Sequence, residues 1–422
     1  MKKKNFQIII GILFLIVLYL PNDYIIDRVA SQWLLLSAIN LVALIFNLFL
    51  ILKGKLKSFK VPISLKTISI LFLWGVISIF YTKSFQITVI DLSRFFIYII
   101  TFFNLLILFN EVEISFKKIS YLFAILFIYE IYFSFEALYI IMSQGQYESS
   151  MAGKLMGKAS NINVTSFSIA LKVPFLIYLI FKEKRNYLKA VFISFVILCY
   201  VMLNFMNTRA ITLSNYFILL LIFGFSVINF NKKVFLKSIL LILVIFFSFN
   251  APSLLDRKRS DKNQELISLT TTNDESSNQR IRYYKAGIEQ IINSPVLGVG
   301  FGNWKLASVK YDKESAVEYV VPYHMHNDFL QFGAELGFIG LVLYIVFFSS
   351  SFLKSLIDFK KLEIRFDTRT LVVLLFFTYM FIDSNLNFPF ARPMIYLQFL
   401  LFIAYLENHY KKESIWNIYF HF

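Results

Sequence analysis

Apolar runs of about twenty residues recur along nearly the whole chain, and no other feature constrains its fold as strongly. A helix of this length crosses the hydrocarbon core of a bilayer. Hydrophobic residues make up 58% of the sequence and charged residues only 16%, whereas soluble domains carry about 25% charged residues. In lipid, every backbone polar group must be satisfied within the segment. The sequence therefore predicts an all-α, polytopic membrane protein.

We predict twelve spans, and the charges of the connecting loops predict their orientation. Lys and Arg are dense in the loops 53–60, 182–189, 231–237 and 354–369, and such loops stay cytoplasmic. Both termini fall on the same basic side, which places the site-bearing loops on the periplasmic side of a bacterial inner membrane. The predicted spans cover residues 6–20, 32–52, 61–81, 86–109, 119–142, 164–181, 188–205, 210–229, 234–249, 326–352, 370–388 and 391–407.

A net charge of +16 could indicate a nucleic-acid-binding protein, but the concentration of Lys and Arg in the predicted cytoplasmic loops accounts for this charge. No nucleic-acid partner is therefore expected. The N-terminal segment resembles a signal peptide without a small-residue cleavage site, so we expect it to be retained as the first span.

One loop is far longer than the others. Residues 250–325 separate helices 1–9 (residues 1–249) from helices 10–12 and a cytoplasmic tail (residues 326–422), and we expect one membrane domain overall. Within this large periplasmic loop, the spacing of Ile281, Tyr284 and Ile288 predicts an amphipathic helix over about 277–293. Pro295 follows, and a proline cannot continue a helix.

Three arginines on the predicted outer side are candidates for binding an anion. Arg209 stands at the outer edge of span eight, where it either serves a site or only anchors the helix at the headgroups. Arg280 and Arg282 open the loop helix and diverge by about 200°, so they cannot both face one ligand. Arg280 shares a stripe with Tyr284. For both loop arginines, a solvated helix face is the alternative to planar capture of a phosphate.

Two of the four histidines, His324 and His326, lie just before span ten. A neutral imidazole at this position could act as a general base, and His326 with Asn327 begins the first turn of the span. An interfacial histidine with a capping asparagine is the alternative. No third ligand accompanies the histidines, and the single cysteine, Cys199, lies in an apolar run. We therefore expect neither a metal site nor a cofactor.

Two further groups of residues leave their roles open. Gly298, Gly300 and Gly302 are a weak nucleotide-binding signal because no strand precedes them, and a backbone turn that could also approach a ligand explains them better. The polar residues near spans eleven and twelve either line the outer cavity or form a polar turn; they are Asp383, Asn385, Asn387 and Arg392.

Taken together, the segment "RIRYYKAGIEQIINSPVLGVGFGNW…YHMHNDFLQFGAELGFIGLVLY" resembles the signature of the O-antigen ligase and polymerase superfamily. The resemblance rests on an Arg with an aromatic four residues later, a helix ending at Pro, a Gly-x-Gly, a His-Asn pair and a Glu-x-Gly helix. Tyr284 stands where this superfamily usually has Trp. Thr208-Arg209-Ala210 is similar to its upstream Ser-Arg-Gly motif, with two conservative departures. The specific part covers roughly residues 280–340.

The resemblance implies a metal-independent glycosyltransferase. Such proteins take a glycan from an undecaprenyl-pyrophosphate carrier and transfer it to the hydroxyl of a lipid or glycan acceptor at the periplasmic face. Arg209 and Arg280 would then hold the donor pyrophosphate, and His326 would accept the proton of the hydroxyl. Arg282, His324, Asn327 and Tyr284 are expected to contribute less.

Several functions remain open at this point. A polysaccharide polymerase and an O-linked oligosaccharyltransferase differ from a ligase only in the acceptor. A secondary transporter would also suit twelve spans, although the halves show no repeat and the polar candidates gather at one face. A membrane scaffold would not need the Arg–Arg–His set.

Overall fold

The computed structural model describes residues 3–17, 29–56, 61–145, 147, 149–157, 161–229, 231–255, 275–312, 323–361 and 367–409. Regular structure in these residues is helical, as the composition predicts. The helices are α1 Lys3–Ile16, α2 Ala30–Leu52, α3 Ile63–Ile77, α4 Phe85–Glu111, α5 Phe116–Ser143, α6 Ile162–Ala170, α7 Val173–Lys182, α8 Asn186–Met206, α9 Arg209–Ile228, α10 Lys232–Leu255, α11 Glu275–Asn293, α12 Trp304–Ala307, α13 Val309–Asp312, α14 Asp328–Lys361, α15 Thr368–Leu386 and α16 Pro393–His409.

Ten helical segments in the described residues are long and apolar enough to cross a membrane. They correspond to the predicted spans two to eleven, with α6 and α7 forming one of them. The predicted first and twelfth spans coincide with α1, of 14 residues, and α16, of 17 residues. The chain is therefore a multi-pass, all-α membrane protein, as predicted.

The helices pack into one bundle whose centre is aromatic. Among the helix pairs, α14 packs on α3, α8 on α10, α4 on α16, and α9 on α15. Phe123 stacks on Phe175 with ring centroids 3.9 Å apart, while α16 is buried along almost its whole length. Large apolar side chains such as Leu34 and Leu41 of α2 are exposed on the outside. Such a surface suits lipid and would be unusual in water.

The span formed by α6 and α7 is interrupted at Leu171 and Lys172. The Lys172 side chain is fully buried there, and its ammonium group donates to a Glu130 carboxylate oxygen at 2.8 Å, the Ser168 carbonyl at 2.8 Å and Gln398 Oε1 at 2.9 Å. The Gln398 amide donates in turn to Ser168 Oγ at 2.7 Å. Lys172 and residues of three helices, α5, α6 and α16, thus close the interruption.

The turns around residues 78–85, 149–157, 206–209 and 387–392 lie at one end of the bundle, together with segments 275–312 and 323–327. We call it the site end. The loop helix expected over 277–293 is observed as α11, Glu275–Asn293, and packs against α14. Residues 256–274 of the large loop and the tail that was predicted to be cytoplasmic, after His409, lie outside the described residues.

Candidate functional site

Tyr284 of α11 joins the segment before α14 to the end of α15. Its hydroxyl lies 2.9 Å from the His326 carbonyl oxygen and 2.7 Å from the Asn385 carbonyl oxygen. Asn327 reinforces the junction because its amide donates to Asn385 Oδ1 at 3.3 Å. Asn327 Oδ1 accepts from the Leu330 amide at 3.0 Å and so caps α14. The aromatic residue four positions after Arg280 is therefore a structural tie that fixes the position of His326.

His326 is held in an unusual conformation. Its φ is +58°, and it shares a positive φ with only one other non-glycine residue in the described part of the chain, Asn207. A non-glycine residue in this region is strained, and such strain clusters at functional sites. Asn207 lies two residues before Arg209. One of the two unusual backbone conformations is therefore at His326, and the other lies two residues before Arg209; the sequence selects both residues as site candidates.

The His326 ring is poised as a neutral imidazole. It forms a hydrogen bond with the Leu386 backbone carbonyl, and it meets the Phe388 ring edge-on at 4.9 Å. Burial lowers its pKa to about 4; the Arg280 cation adds to this, and the Leu386 hydrogen bond opposes it. Within the described residues, Nδ1 is buried and has no hydrogen-bond partner. The ring N–H on Leu386 is then on Nε2, which leaves the Nδ1 lone pair unused.

Arg280 lies close enough to this junction for its charge to act on two of its groups. It lowers the pKa of His326 and opposes the rise that burial causes in the pKa of Tyr284. Arg282 is half-buried two positions further along. Its neighbour Tyr283 is buried against Trp304 and Met325. The structure therefore brings Arg280, Tyr284 and His326 together.

Arg209 is the first residue of α9 and reaches the site end from another side. Thr208, its N-cap residue, lies with Oγ1 3.2 Å from Ser166 Oγ of α6. The start of α6, at Asn163, lines a small cavity together with Phe388 and Arg392. Arg209 therefore occupies the same end of the bundle as His326.

His324 contacts the same Phe388 ring as His326 does. Its ring stacks on Phe388 with centroids 4.4 Å apart, and Arg392 lies over the same ring at 4.9 Å. Burial lowers the pKa of His324 to about 3, and the Arg392 cation adds to this. Both histidines are thus coupled to Phe388, a residue that the sequence analysis did not select.

The glycine-rich segment serves to seat the loop on α14. Val299 N–H donates to the Ala334 carbonyl at 3.1 Å, and Gly300 N–H donates to the Glu335 carbonyl at 2.9 Å. A Cβ on Gly298 (φ +66°) would collide with the Glu335 backbone. The close backbone approach foreseen for these glycines is therefore observed, but toward α14.

α14 itself is interrupted where this loop docks. Gly337 has φ 71° and ψ −173°, outside helical geometry, and a Cβ there would collide with the Val296 carbonyl. Phe338 N–H donates to the Pro295 carbonyl at 2.7 Å instead of bonding within the helix. Backbone from the loop thus closes the interruption.

A cavity of about 320 Å³ opens beside the docked loop. His324 and Arg392 line it, and so do three charged residues that the sequence analysis missed: Asp91, Arg94 and Lys305. Asp91 and Arg94 lie three residues apart within span four, and charged residues inside a span are rare and usually functional. This signal is present in the sequence.

Among the described residues, no three His, Cys, Asp or Glu side chains are grouped so that they could hold a metal ion.

The fold and this site define a multi-pass membrane protein whose cationic and imidazole groups gather at one end of a helical bundle. Residues 193–345 match the family model described as O-Antigen ligase. The match runs from α8 into α14 and includes Arg209, Arg280, His326 and Gly337. The chain therefore contains an O-antigen ligase family domain over these residues. This domain implies an enzyme for O-antigen ligase- or polymerase-type glycan transfer in surface polysaccharide biosynthesis, with lipid-linked glycan substrates. No curated protein matches the chain.

Proposed function

We propose that this protein transfers a glycan from an undecaprenyl-pyrophosphate carrier to an acceptor hydroxyl at the periplasmic face of the bacterial inner membrane. The observation that carries the proposal is the unused Nδ1 of a neutral His326 beside Arg280. A base without a partner next to a cation is what the transfer of an anion-linked sugar to a hydroxyl requires. The O-antigen ligase family domain over the same residues supports it.

In this mechanism, Arg280 and Arg209 bind the donor pyrophosphate from different sides, one from α11 and one from α9. The acceptor hydroxyl oxygen attacks the anomeric carbon, and the bond from that carbon to the pyrophosphate oxygen breaks. The electron pair leaves with the pyrophosphate, whose charge the arginines stabilise. The hydroxyl proton passes to His326. Attack opposite the leaving group inverts the anomeric centre.

The electrostatics of the junction favour this order of events. Without donor, burial and, to a smaller extent, the Arg280 cation hold the pKa of His326 at about 4, so the imidazole is a weak base. A pyrophosphate bound at Arg280 offsets that cation, and a neighbouring anion stabilises the imidazolium. Donor binding therefore raises the basicity of His326 and couples activation of the acceptor to the presence of the donor.

The test is transfer by the full chain in proteoliposomes supplied with carrier-linked glycan and, in separate reactions, three acceptors: lipid A core, a carrier-linked repeat and a protein acceptor. His326→Ala, Arg280→Ala and Arg209→Ala should each lower transfer by about 100-fold or more, the scale of losing a general base or a charge clamp. The acceptor that turns over distinguishes ligase, polymerase and oligosaccharyltransferase.

The matched control is Lys285→Ala, which removes an exposed cation from the same helix α11 and should leave transfer unchanged. Size-exclusion chromatography establishes that each variant remains folded. Full activity in all three site variants contradicts the proposal. Substrate movement across the bilayer without release of carrier pyrophosphate would instead identify a transporter.

A further inference from the structure

The cavity beside the docked loop joins parts of the chain that are distant in sequence. Trp33 comes from α2, Asp91 and Arg94 from α4, Lys305 from α12, and Glu335 from α14. The walls supplied by α2 and α4 lie outside the segment 193–345 that matches the family model. A volume of about 320 Å³ accommodates a small molecule of sugar size.

Two cations share one carboxylate on the α4 side of the cavity. Arg94 Nη1 lies 3.1 Å from an Asp91 carboxylate oxygen, and Lys305 Nζ lies 3.9 Å from the other oxygen. The Lys305 ammonium also lies over the Tyr323 ring at 4.4 Å. The second pair exceeds hydrogen-bond distance, so Asp91 does not fully occupy both cations.

The other two carboxylates in the cavity wall, Asp328 and Glu335, are already committed. Buried Asp328 accepts from Phe390 N–H at 3.0 Å. Glu335 accepts from Gly302 N–H at 2.8 Å, from the Gln331 amide at 3.1 Å and from Trp304 N–H at 3.4 Å. It is buried, and these donors belong to the walls. Its charge is therefore directed at the docked loop, and the α4 side of the cavity favours an anion.

The remaining lining suits the body of a sugar. The buried rings of Trp33, Phe301 and Phe332 line the cavity, and aromatic faces contact the apolar C–H surface of a sugar ring. Gln331 and Asp91 supply hydrogen-bonding groups on the same walls. Aromatic faces with a few polar groups are the usual composition of a small-molecule site.

Phe388 links this cavity to the proposed donor site. His324, which lines the cavity, stacks on the Phe388 ring, and His326 meets the same ring edge-on. Arg280 acts on His326 from the α11 side. Since attack with inversion places the acceptor opposite the leaving pyrophosphate, a donor held at Arg280 directs the acceptor to the cavity side.

We propose that this cavity is the acceptor subsite, and that it binds an acceptor sugar carrying a carboxylate or phosphate group at Arg94 and Lys305. The identification of this sugar as the acceptor rests on the proposed function, whereas the presence of an anionic-sugar site rests on the cavity alone.

The binding test uses the full chain in lipid nanodiscs and ligand-observed NMR titrations with glucuronate, glucose 6-phosphate, glucose and glucosamine. The wild type should bind the two anionic sugars more tightly than the neutral and cationic ones, and their order identifies the carboxylate or the phosphate as the better ligand. Arg94→Ala and Lys305→Ala should each weaken binding of the anionic sugars about tenfold, as expected for a lost charge-assisted hydrogen bond.

The variant Asp91→Asn should change the affinity for anionic sugars in the opposite direction. Removing the competing carboxylate while keeping its shape should strengthen binding of the anionic sugars several-fold, an outcome that misfolding cannot produce. Lys310→Ala, at an exposed cation of the same loop, should bind as the wild type does. Equal affinity of the wild type for glucuronate, glucose 6-phosphate and glucose, or unchanged affinity for both anions in Arg94→Ala and Lys305→Ala, would overturn the site.

The transfer assay separates the subsite from the proposed function. Arg94→Ala should raise the KM of an anionic acceptor about tenfold and leave the donor KM unchanged; a rise in the donor KM alone would overturn the acceptor assignment. His326→Ala should bind glucuronate as the wild type does. Active His326→Ala with intact sugar binding would defeat the proposed mechanism but not the binding site.

Discussion

Two membrane-spanning segments of this protein are interrupted, and they are repaired in opposite ways. Between α6 and α7, the side chains of Lys172, Glu130 and Gln398 close the gap from inside the bundle. At Gly337 of α14, backbone from residues 295–300 closes it. The first interruption is sealed, whereas the second adjoins an open cavity.

The difference shows what each interruption does. Within the membrane, a broken helix must find new partners for its polar groups. A fully buried lysine at the junction of α6 and α7 binds groups on α5, α6 and α16 and so holds these helices in register. A backbone repair by a loop instead carries that loop, with Phe301 and Lys305, against the cavity. We infer that the first interruption is a packing device and the second builds the site.

The largest expected effect is on stability at the sealed interruption. Lys172→Met leaves Glu130 buried without its cation and should destabilise the fold by about 3–5 kcal/mol. The double variant Glu130→Gln with Lys172→Met should recover most of this loss because no uncompensated charge remains. Thermal unfolding in nanodiscs measures both. If transfer KM values change at permissive temperature, the sealed interruption also serves the site and the contrast fails.

The second interruption should respond more weakly in stability but more strongly in function. Gly337→Ala forces a side chain into a conformation essentially confined to glycine and against the Val296 carbonyl, at a cost of about 2–3 kcal/mol. Displacement of the docked loop should also lower transfer. Gly224→Ala, in α9 where a Cβ meets nothing within 4 Å, is the matched control and should be neutral or slightly stabilising. Equal behaviour of the two variants contradicts the site-building role.

The pH dependence of glycan transfer tests the site beside the second interruption. His326 is neutral above its lowered pKa of about 4, so kcat/KM should stay flat as the pH falls from 7 to 5 and decline only near pH 4, where the base becomes protonated. Because bound pyrophosphate raises the basicity of His326, the acidic limb of kcat should lie at higher pH than that of kcat/KM. Coincident limbs would show that donor and base are not coupled.

The smallest effect is expected at the tie between α11 and the start of α14. Tyr284→Phe removes the hydroxyl that lies between the His326 and Asn385 carbonyls and should cost about 1 kcal/mol of stability. Transfer should fall only a few-fold, since His326 and Arg280 remain. Tyr216→Phe, on an exposed face of α9, is the control. A loss as large as that of His326→Ala would assign Tyr284 a direct chemical role.

Much of the fold was accessible from the sequence because its signals are local. Apolar length predicts a span without reference to any other segment, and helical spacing with Pro295 predicts α11. The resemblance pointed to Arg280, Tyr284 and His326, which the structure brings together. The roles of these residues in transfer remain predictions.

The cavity could not be predicted from the sequence in the same way. Arg94 in an apolar span signals only that a partner exists, and nothing local identifies Lys305, more than two hundred residues later, as a neighbour of Asp91. His324 lies outside the His-Asn pair of the resemblance, and its contact with Phe388 joins the segment before α14 to the segment after α15.

The sequence by itself determined that the chain is a helical membrane protein, where most of its spans lie, and which imidazole and guanidinium groups are candidates for chemistry. These properties depend on hydropathy, periodicity and short motifs, all of which act over a few turns of helix. Only the tertiary structure decided which interruption is sealed and which opens onto a cavity. That outcome depends on the packing of α2, α4, α14 and the docked loop, which no local pattern records.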